Sequence, residues 1–458
     1  MLRGVQGVAD AATGPFDPSL RLGVTGLARA GKTVFITSLV ANLLDRGRMG
    51  QLTAAAEGRI AAAYLQPQPD DTVPRFEFED ALAAIAGAEP RWPEPTAAIS
   101  ALRLSLKVRS SGLLGGMRGE RTVHLDIVDY PGEWLLDLGL LDRSFEDWSA
   151  AVLERLGDRE EMAPFRAALA ATDPDAALSE PDAAALARAY TASLRALRRA
   201  GMSDCTPGRF LMPGELAGSP ALTFAPLPPG ARPRGSLGRE FSRRFEAYKS
   251  RVVRPFFRAH FSRVDRQVVL VDALEAIHHG PEAVRDLQRA MADLLAAFRP
   301  GTNPFLARLV RGQRVERILF AATKADHLHH SQHPRLVAIL DELVEGARRR
   351  ANFSGARTQA MAIAALRATV EQSVEHEGAA LDVVRGRLLQ EDGTAGRQAA
   401  FHPGELPQDP SAVLQDGDWL KDWSLMRFAP APLTLRPGEG PPHIRLDRAA
   451  EFLIGDRL

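Results

Sequence analysis

Gly26–Thr33 (GLARAGKT) has the spacing of a phosphate cradle, G-x-x-x-x-G-K-[ST]. The two glycines let backbone N–H groups from Gly26, Leu27, Ala28, Arg29, Ala30, Gly31 and on to Val34 wrap phosphate oxygens at a helix N-terminus. In such a cradle Lys32 offsets the β- and γ-phosphate charge and the Thr33 hydroxyl ligates Mg²⁺. The competing reading is a glycine turn that spells the pattern by accident. Lysine, however, occurs only at positions 32, 107, 249, 324 and 421, and arginine supplies the rest of the 57 basic residues. A lysine on the motif position of so lysine-poor a chain weighs against accident.

Two acids compete to complete a metal site. Asp129 ends LDIVD and opens Asp129-Tyr130-Pro131-Gly132, a D-x-x-G in which the Gly132 amide can contact a γ-phosphate. Asp272 ends VVLVD and is the alternative as the metal's acid; otherwise it is a helix N-cap or a loop-stabilising residue. D-x-x-G favours Asp129. Thr323–Asp326 (TKAD) follows the apolar run ILFAA and matches [NT]-K-x-D. A carboxylate at Asp326 can accept from the N1–H and N2–H₂ edge of guanine, where adenine has no matching donors. The aliphatic stem of Lys324 can cover the ring while its ammonium stays wet. The bland alternative is a polar loop in which Asp326 caps the next helix.

These loops need strands and helices to hold them. The run 21–25 reads as a strand and 33–44 as a helix, so the cradle sits at a strand-to-helix turn. Helical stretches are expected near 51–64 and 78–87. Alternating 101–109 and 121–129 predict an antiparallel hairpin across the Gly-rich 110–119. Helices are expected at 148–156, 164–170 and 183–200. A long basic helix over 236–263 is expected to be kinked or interrupted at Pro255. Strands at 267–272, 315–321 and 359–365 then alternate with helices at 282–298 and 334–351. Residues 367–443 read as β-rich and loopy, and 443–458 contains an amphipathic helix.

Composition narrows the class. With 45% hydrophobic and 25% charged residues the chain is ordinary globular material, not disordered or collagen-like. Its 57 basic and 57 acidic residues cancel, so no whole-molecule field favours nucleic acid, and no specific nucleic-acid partner is expected. One cysteine, Cys205, excludes an internal disulfide or a Cys-rich zinc site. No signal-peptide core or membrane-spanning run is evident, which leads to the expectation of a cytoplasmic protein.

The order of motifs resembles the G domain of translation-factor-like and Ras-like GTPases. That resemblance implies a threonine before the hairpin that closes over Mg²⁺. Thr96 stands in that place, with Thr72 and Ser100 as alternatives. It also implies that Ala364-Ala365-Leu366 reaches the base, Ala365 through its amide. Glu133 occupies the place of the usual water-positioning glutamine, which implies slow intrinsic turnover. Guanylate-binding proteins and atlastins carry an arginine at the position of Arg29, where it acts as a finger in cis; the alternative is a solvated or acid-paired Arg29.

A wider resemblance rests on GLARAGKT, LDIVDYPGEWL, GRFLMPGELAGSP at 208–220, FSRVDRQVVLVDALEAIHHGP at 261–281, FAATKAD, FHPGELP at 401–407 and the terminal HIRLDRAAEFLIGDRL. Together these resemble the YcjX family of bacterial stress-associated P-loop GTPases. The resemblance implies an α/β P-loop NTPase G domain with a Ras-like mixed sheet flanked by helices, split as 20–132 and 265–366. An inserted α-helical domain would occupy 133–264, after a flexible arm at 1–19. A β-rich extension at 367–443 and a helix at 444–458 packed on the G domain would follow. GTP or GDP with Mg²⁺ and an integral membrane stress-protein partner are implied as well. The rivals are an ATPase that uses Asp272 as its metal acid, and a nucleotide-stabilised scaffold with little turnover.

Two charge clusters stand apart. Between 234 and 266, ten basic residues face three acids, which suggests a dock for an anionic membrane, an acidic partner or RNA, or else a solvated helix or one paired with acids in the rest of the insert. His327, His329, His330 and His333 crowd the segment after TKAD, where a solvated loop is favoured over metal capture.

Overall fold

Alternate residues of the central strands pack in opposite directions. Val268 and Leu270 belong to one hydrophobic cluster, Val269 and Val271 to another. Such a strand is buried on both faces and lies mid-sheet. The computed structural model describes residues 18–27, 29–94, 98–110, 119–259, 263–296, 315–353, 355–376 and 378–458. Ala28, Thr96 and most of the 1–19 arm lie outside them.

Seven strands form the main sheet: β1 (Ser19–Gly26), β2 (Ile60–Gln66), β3 (Ser100–Arg109), β4 (Glu120–Asp129), β5 (Arg266–Val271), β6 (Arg317–Ala322) and β7 (Arg357–Ala362). Their order is β2-β3-β4-β1-β5-β6-β7. From β4 to β7 all neighbours are parallel, whereas β2 and β3 pair antiparallel at one side. The fold is α/β with a mixed sheet.

One face is covered by the Lys32–Leu44 and Leu446–Ile454 helices, through Phe35, Leu39, Leu446 and Leu453. Arg266 is fully buried and donates to the Leu453 carbonyl at 3.0 Å and to Asp456 at 2.9 Å. These bonds tie β5 to the carboxyl-terminal segment. The Pro281–Ala296 and His333–Phe353 helices lie on the other face. The helices between β4 and β5 share its core: Trp148, Tyr190, Phe224 and Phe245 join one continuous cluster with Val269, Phe320 and Leu340. Trp148 stacks on Phe245 at 5.1 Å.

A second sheet, β8 (Val370–His376), β9 (Ala379–Leu389) and β10 (Ala395–Phe401), is a three-stranded antiparallel meander.

One expectation about elements needs correction, and two are made specific. Residues 60–66 are strand β2, not the end of a helix. Gly58, at φ 65°, breaks the short Thr53–Ala56 helix, and pairing with β3 overrides the helix propensity of the alanines. The long basic helix departs from α geometry as a π-turn at Lys249–Val253, just before Pro255. Proline lacks an N–H and the turn before it widens. The basic stretch in part follows the alternative of pairing with acids in the rest of the insert. Arg244 is buried against Glu240 and Glu180, Lys249 pairs with Glu246 at 2.7 Å, and Arg266 is inside the sheet.

Candidate functional site

Parallel β1, β4, β5, β6 and β7 deliver their following loops to one edge of the sheet. Val24 lies opposite Asp129, Gly26 opposite Leu270, Val271 opposite Ala322 and Ala322 opposite Ala362. GLARAGKT, D-x-x-G, Asp272, TKAD and Ala364–Leu366 are therefore neighbours. Only β5 separates β1 from β6, a gap of about 10 Å at usual strand spacing.

The glycine loop is shaped by its backbone. Gly31 has φ 84° and caps the Lys32–Leu44 helix, a left-handed conformation in which a Cβ would be strained. Arg29 also sits at φ 63°; it is exposed and has no ion pair among the described residues. Lys32 is buried and donates from Nζ to the Gly26 carbonyl at 2.6 Å, holding its ammonium within the loop. Thr33 opens the first helical turn, and its hydroxyl lies 3.4 Å from the Glu94 carbonyl. The segment just before Thr96 thus passes over Thr33. Ala30 is buried, while Leu27 and Val34 are half-buried.

D-x-x-G presses directly on this loop. A Cβ on Gly132 would stand 2.5 Å from the Gly26 carbonyl oxygen and 2.7 Å from its carbon. Asp129 is buried at the end of β4. Tyr130, fully buried, donates to Gln267 at 2.6 Å, and burial, partly offset by that bond, pushes its phenol well above the usual range. Glu133 is buried, 3.2 Å from Arg198 of the Glu180–Arg199 helix. Its carboxylate faces the helical residues and not open solvent.

The loops after β5 and β6 are cross-braced. Lys324, at φ 60°, pairs with Asp272, which also accepts from the Glu275 N–H at 3.3 Å as a helix N-cap. Asp272 is thereby engaged in ordering TKAD. Thr323 donates its N–H to the Val271 carbonyl at 3.0 Å. Asp326 is buried, and its Oδ2 accepts from the Ala368 N–H at 2.8 Å. No other hydrogen bond of its side chain is found among the described residues. Ala364 bridges to Ile444 in both directions, at 3.1 and 2.8 Å, so Ala365 and Leu366 hang from the carboxyl-terminal segment.

Several of these partners have little signal in sequence. Arg198, Gln267 and Ala368 are 65, 137 and 42 positions from the residues they hold. GRFLMPGELAGSP carried a usable clue in its glycine. A Cβ on Gly208 would collide with the Glu133 backbone, Trp134 donates to the Met212 carbonyl at 3.1 Å, and Arg209 stacks over Trp134 at 3.2 Å. That segment is the seat of Glu133-Trp134. Asp137, one turn later, accepts from the Gly208 N–H at 2.8 Å and from the Tyr248 hydroxyl at 2.5 Å. Burial, opposed by those bonds, pushes its carboxyl up to about 7. FHPGELP packs on Gln332, which bonds Gly404 and Leu406 at 2.9 and 2.8 Å.

The histidine segment is not simply solvated. His327 is buried with its ring against Phe428 at 5.2 Å. His333 bonds the Ala325 carbonyl at 2.8 Å. Only His329 and His330 face outward to any extent.

Fold and site define the class: an α/β protein with a mixed sheet, in which a strand, a glycine loop and a helix open at the carboxyl edge of the parallel strands. Within that class the chain belongs to the YcjX-like family, DUF463, whose family model matches residues 20–458. It is 36% identical over 458 aligned residues to "Ras-like GTPase YcjX" of Escherichia coli (strain K12), covering 96% of each chain. It is 34% identical over 471 aligned residues to the protein of the same name in Shewanella oneidensis, covering 96% of this chain and 95% of the relative. Among the described residues, no helix is long and apolar enough to cross a membrane.

Proposed function

We propose that this protein is a Mg²⁺-dependent GTPase that works as a switch, passing its nucleotide state to residues 133–264. The observation that carries the reading is the convergence of GLARAGKT, D-x-x-G and TKAD on one sheet edge, with Gly132 seated on Gly26. The two GTPase-named relatives agree with it.

In this reading the backbone from Gly26 to Val34 wraps the phosphates, and Lys32 exchanges the Gly26 carbonyl for phosphate oxygens. The donors on offer to the ion, the Thr33 hydroxyl and the Asp129 carboxylate, with Thr96 beyond the Glu94 contact, are the hard oxygens that Mg²⁺ prefers. When bound, Mg²⁺ would supply neutralising charge across the β- and γ-phosphates. Asp326 reads guanine with Oδ1 while Oδ2 stays anchored on Ala368, and Lys324, steadied by Asp272, covers the ring. The Ala365 amide and Leu366 close the base side.

Exposed Arg29, already left-handed, is available to stabilise phosphate charge in cis. Glu133 is held by Arg198, so we assign it to coupling D-x-x-G to the Glu180–Arg199 helix and expect slow intrinsic turnover. The engagement of Asp272 with Lys324 argues against its use as an ATPase's metal acid.

The test is phosphate release from GTP by the purified chain, with and without Mg²⁺, beside Lys32→Ala. Slow Mg²⁺-dependent release that Lys32→Ala abolishes supports the proposal. Equal release by both proteins would defeat it.

A further inference from the structure

We propose that His329, His330 and Glu371 form a binding site for a divalent transition-metal ion of the zinc class, with Asp382 as its supporting carboxylate. The cluster shares no residue with the proposed nucleotide site, although it follows Asp326 by three residues, and it does not rest on the GTPase reading.

Three elements converge there. His329 and His330 lie in the turn after TKAD, with rings 4.3 Å apart; Glu371 is on β8 and Asp382 on β9. One ligand atom from each of His329, His330 and Glu371 can be chosen so that all lie within 4.8 Å of one another. A common point is evident at Glu371 Oε2, 2.5 Å from His330 Nδ1 and 3.6 Å from His329 Nε2. Tetrahedral zinc with bonds of about 2.0–2.1 Å separates its N and O ligands by about 3.3 Å, so one spacing opens and the other closes slightly.

The second nitrogen of His329 makes the stronger argument. Nδ1 lies 3.2 Å from Asp382 Oδ2, the arrangement in which a carboxylate fixes the tautomer that presents Nε2 to a metal. Ser331 Oγ lies 2.8 Å from the same Nδ1, and the Ser331 N–H reaches it at 3.4 Å, a longer contact that yields when Nδ1 carries the proton shared with Asp382. Arg367 reaches the other oxygen of Glu371, Oε1, at 3.4 Å, and leaves Oε2 to the imidazoles. His330 is well exposed, its side chain at 68%, so an ion has an open approach and a coordination position for water. His327 and His333 turn inward and take no part. Two imidazoles and one carboxylate with an open position suit Zn²⁺ or Co²⁺, not Mg²⁺. An ion there would fasten β8 to the loop that carries Asp326.

The test uses the full chain, freed of metal by chelation, in excess Mg²⁺, titrated with Co²⁺ and followed by visible absorption. The expected result is one equivalent of a low-coordinate Co²⁺ spectrum, displaced by Zn²⁺. His330→Ala and Glu371→Gln, both on partly open side chains, should each abolish it, and Asp382→Asn should weaken binding roughly tenfold to a hundredfold. His278→Ala, on the Ala273–His278 helix and outside the cluster, should leave it unchanged. No spectrum in the wild-type chain, or one that survives both His330→Ala and Glu371→Gln, overturns the proposal.

Discussion

Replacing Gly132 by alanine probes the contact on which the proposed phosphate site depends. The added Cβ would meet the Gly26 carbonyl oxygen at 2.5 Å, its carbon at 2.7 Å and the Leu27 nitrogen at 3.1 Å, all backbone atoms. Ordinary contact needs about 3.5 Å, so one loop must retreat by about 1 Å, and no side-chain rotation can substitute. Overpacking of this kind costs about 1–3 kcal/mol. If the glycine loop must be in place to bind phosphate, that cost appears in affinity, at about 1.4 kcal/mol per tenfold. The expectation is a roughly 5- to 100-fold rise in Kd for GTP, measured by titration with a fluorescent analogue. Gly50→Ala is the control, because a Cβ there meets nothing within 4 Å and the backbone φ is not left-handed. Equal GTP affinity for Gly132→Ala, Gly50→Ala and wild type, with all three folded by circular dichroism, would refute the reasoning.

Three further outcomes follow from the same geometry. Asp326→Asn keeps an acceptor for the Ala368 N–H but turns a donor towards the base, so the preference for GTP over ATP should fall roughly tenfold to a hundredfold in competition binding. Arg198→Ala strands the buried Glu133 carboxylate, and because Arg198 is about one-third open to solvent the loss in urea-unfolding stability should be about 1–2 kcal/mol, largely restored by adding Glu133→Gln. Asp137, with its carboxyl raised to about 7, holds its proton in the fold, so its contribution is complete below the ordinary aspartate range and is lost as pH rises through 7. Wild type should therefore lose stability relative to Asp137→Asn between pH 4 and 8, by an amount on the order of 4 kcal/mol; parallel pH profiles would contradict this.

The legible parts of the fold were those whose pattern is local. The GLARAGKT loop declares itself through spacing, and β3, β4, β5 and β6 through short apolar runs that end in turns. Ile60–Gln66 was not legible as a strand, because its alanines read as helix and only edge pairing with β3 makes it extended. At the site, motif order suggested which loops should meet, but the residues that brace them are remote. Asp326 depends on an amide at Ala368 and Glu133 on an arginine at the end of a helix. No periodicity or spacing encodes such pairs; they exist only once packing brings the segments together. The histidines fail for a related reason, since burial of His327 and His333 follows from Phe428 and Ala325, not from their own neighbours.

Displacement of one bound fluorescent guanine nucleotide by GTP, GDP and ATP tests the central claim most directly. A cradle at β1 joined to a guanine-reading carboxylate at β6 predicts displacement by both guanine nucleotides, none by ATP at matched concentration, and no retention by Lys32→Ala. Equal displacement by ATP, or undiminished retention by Lys32→Ala, would contradict it.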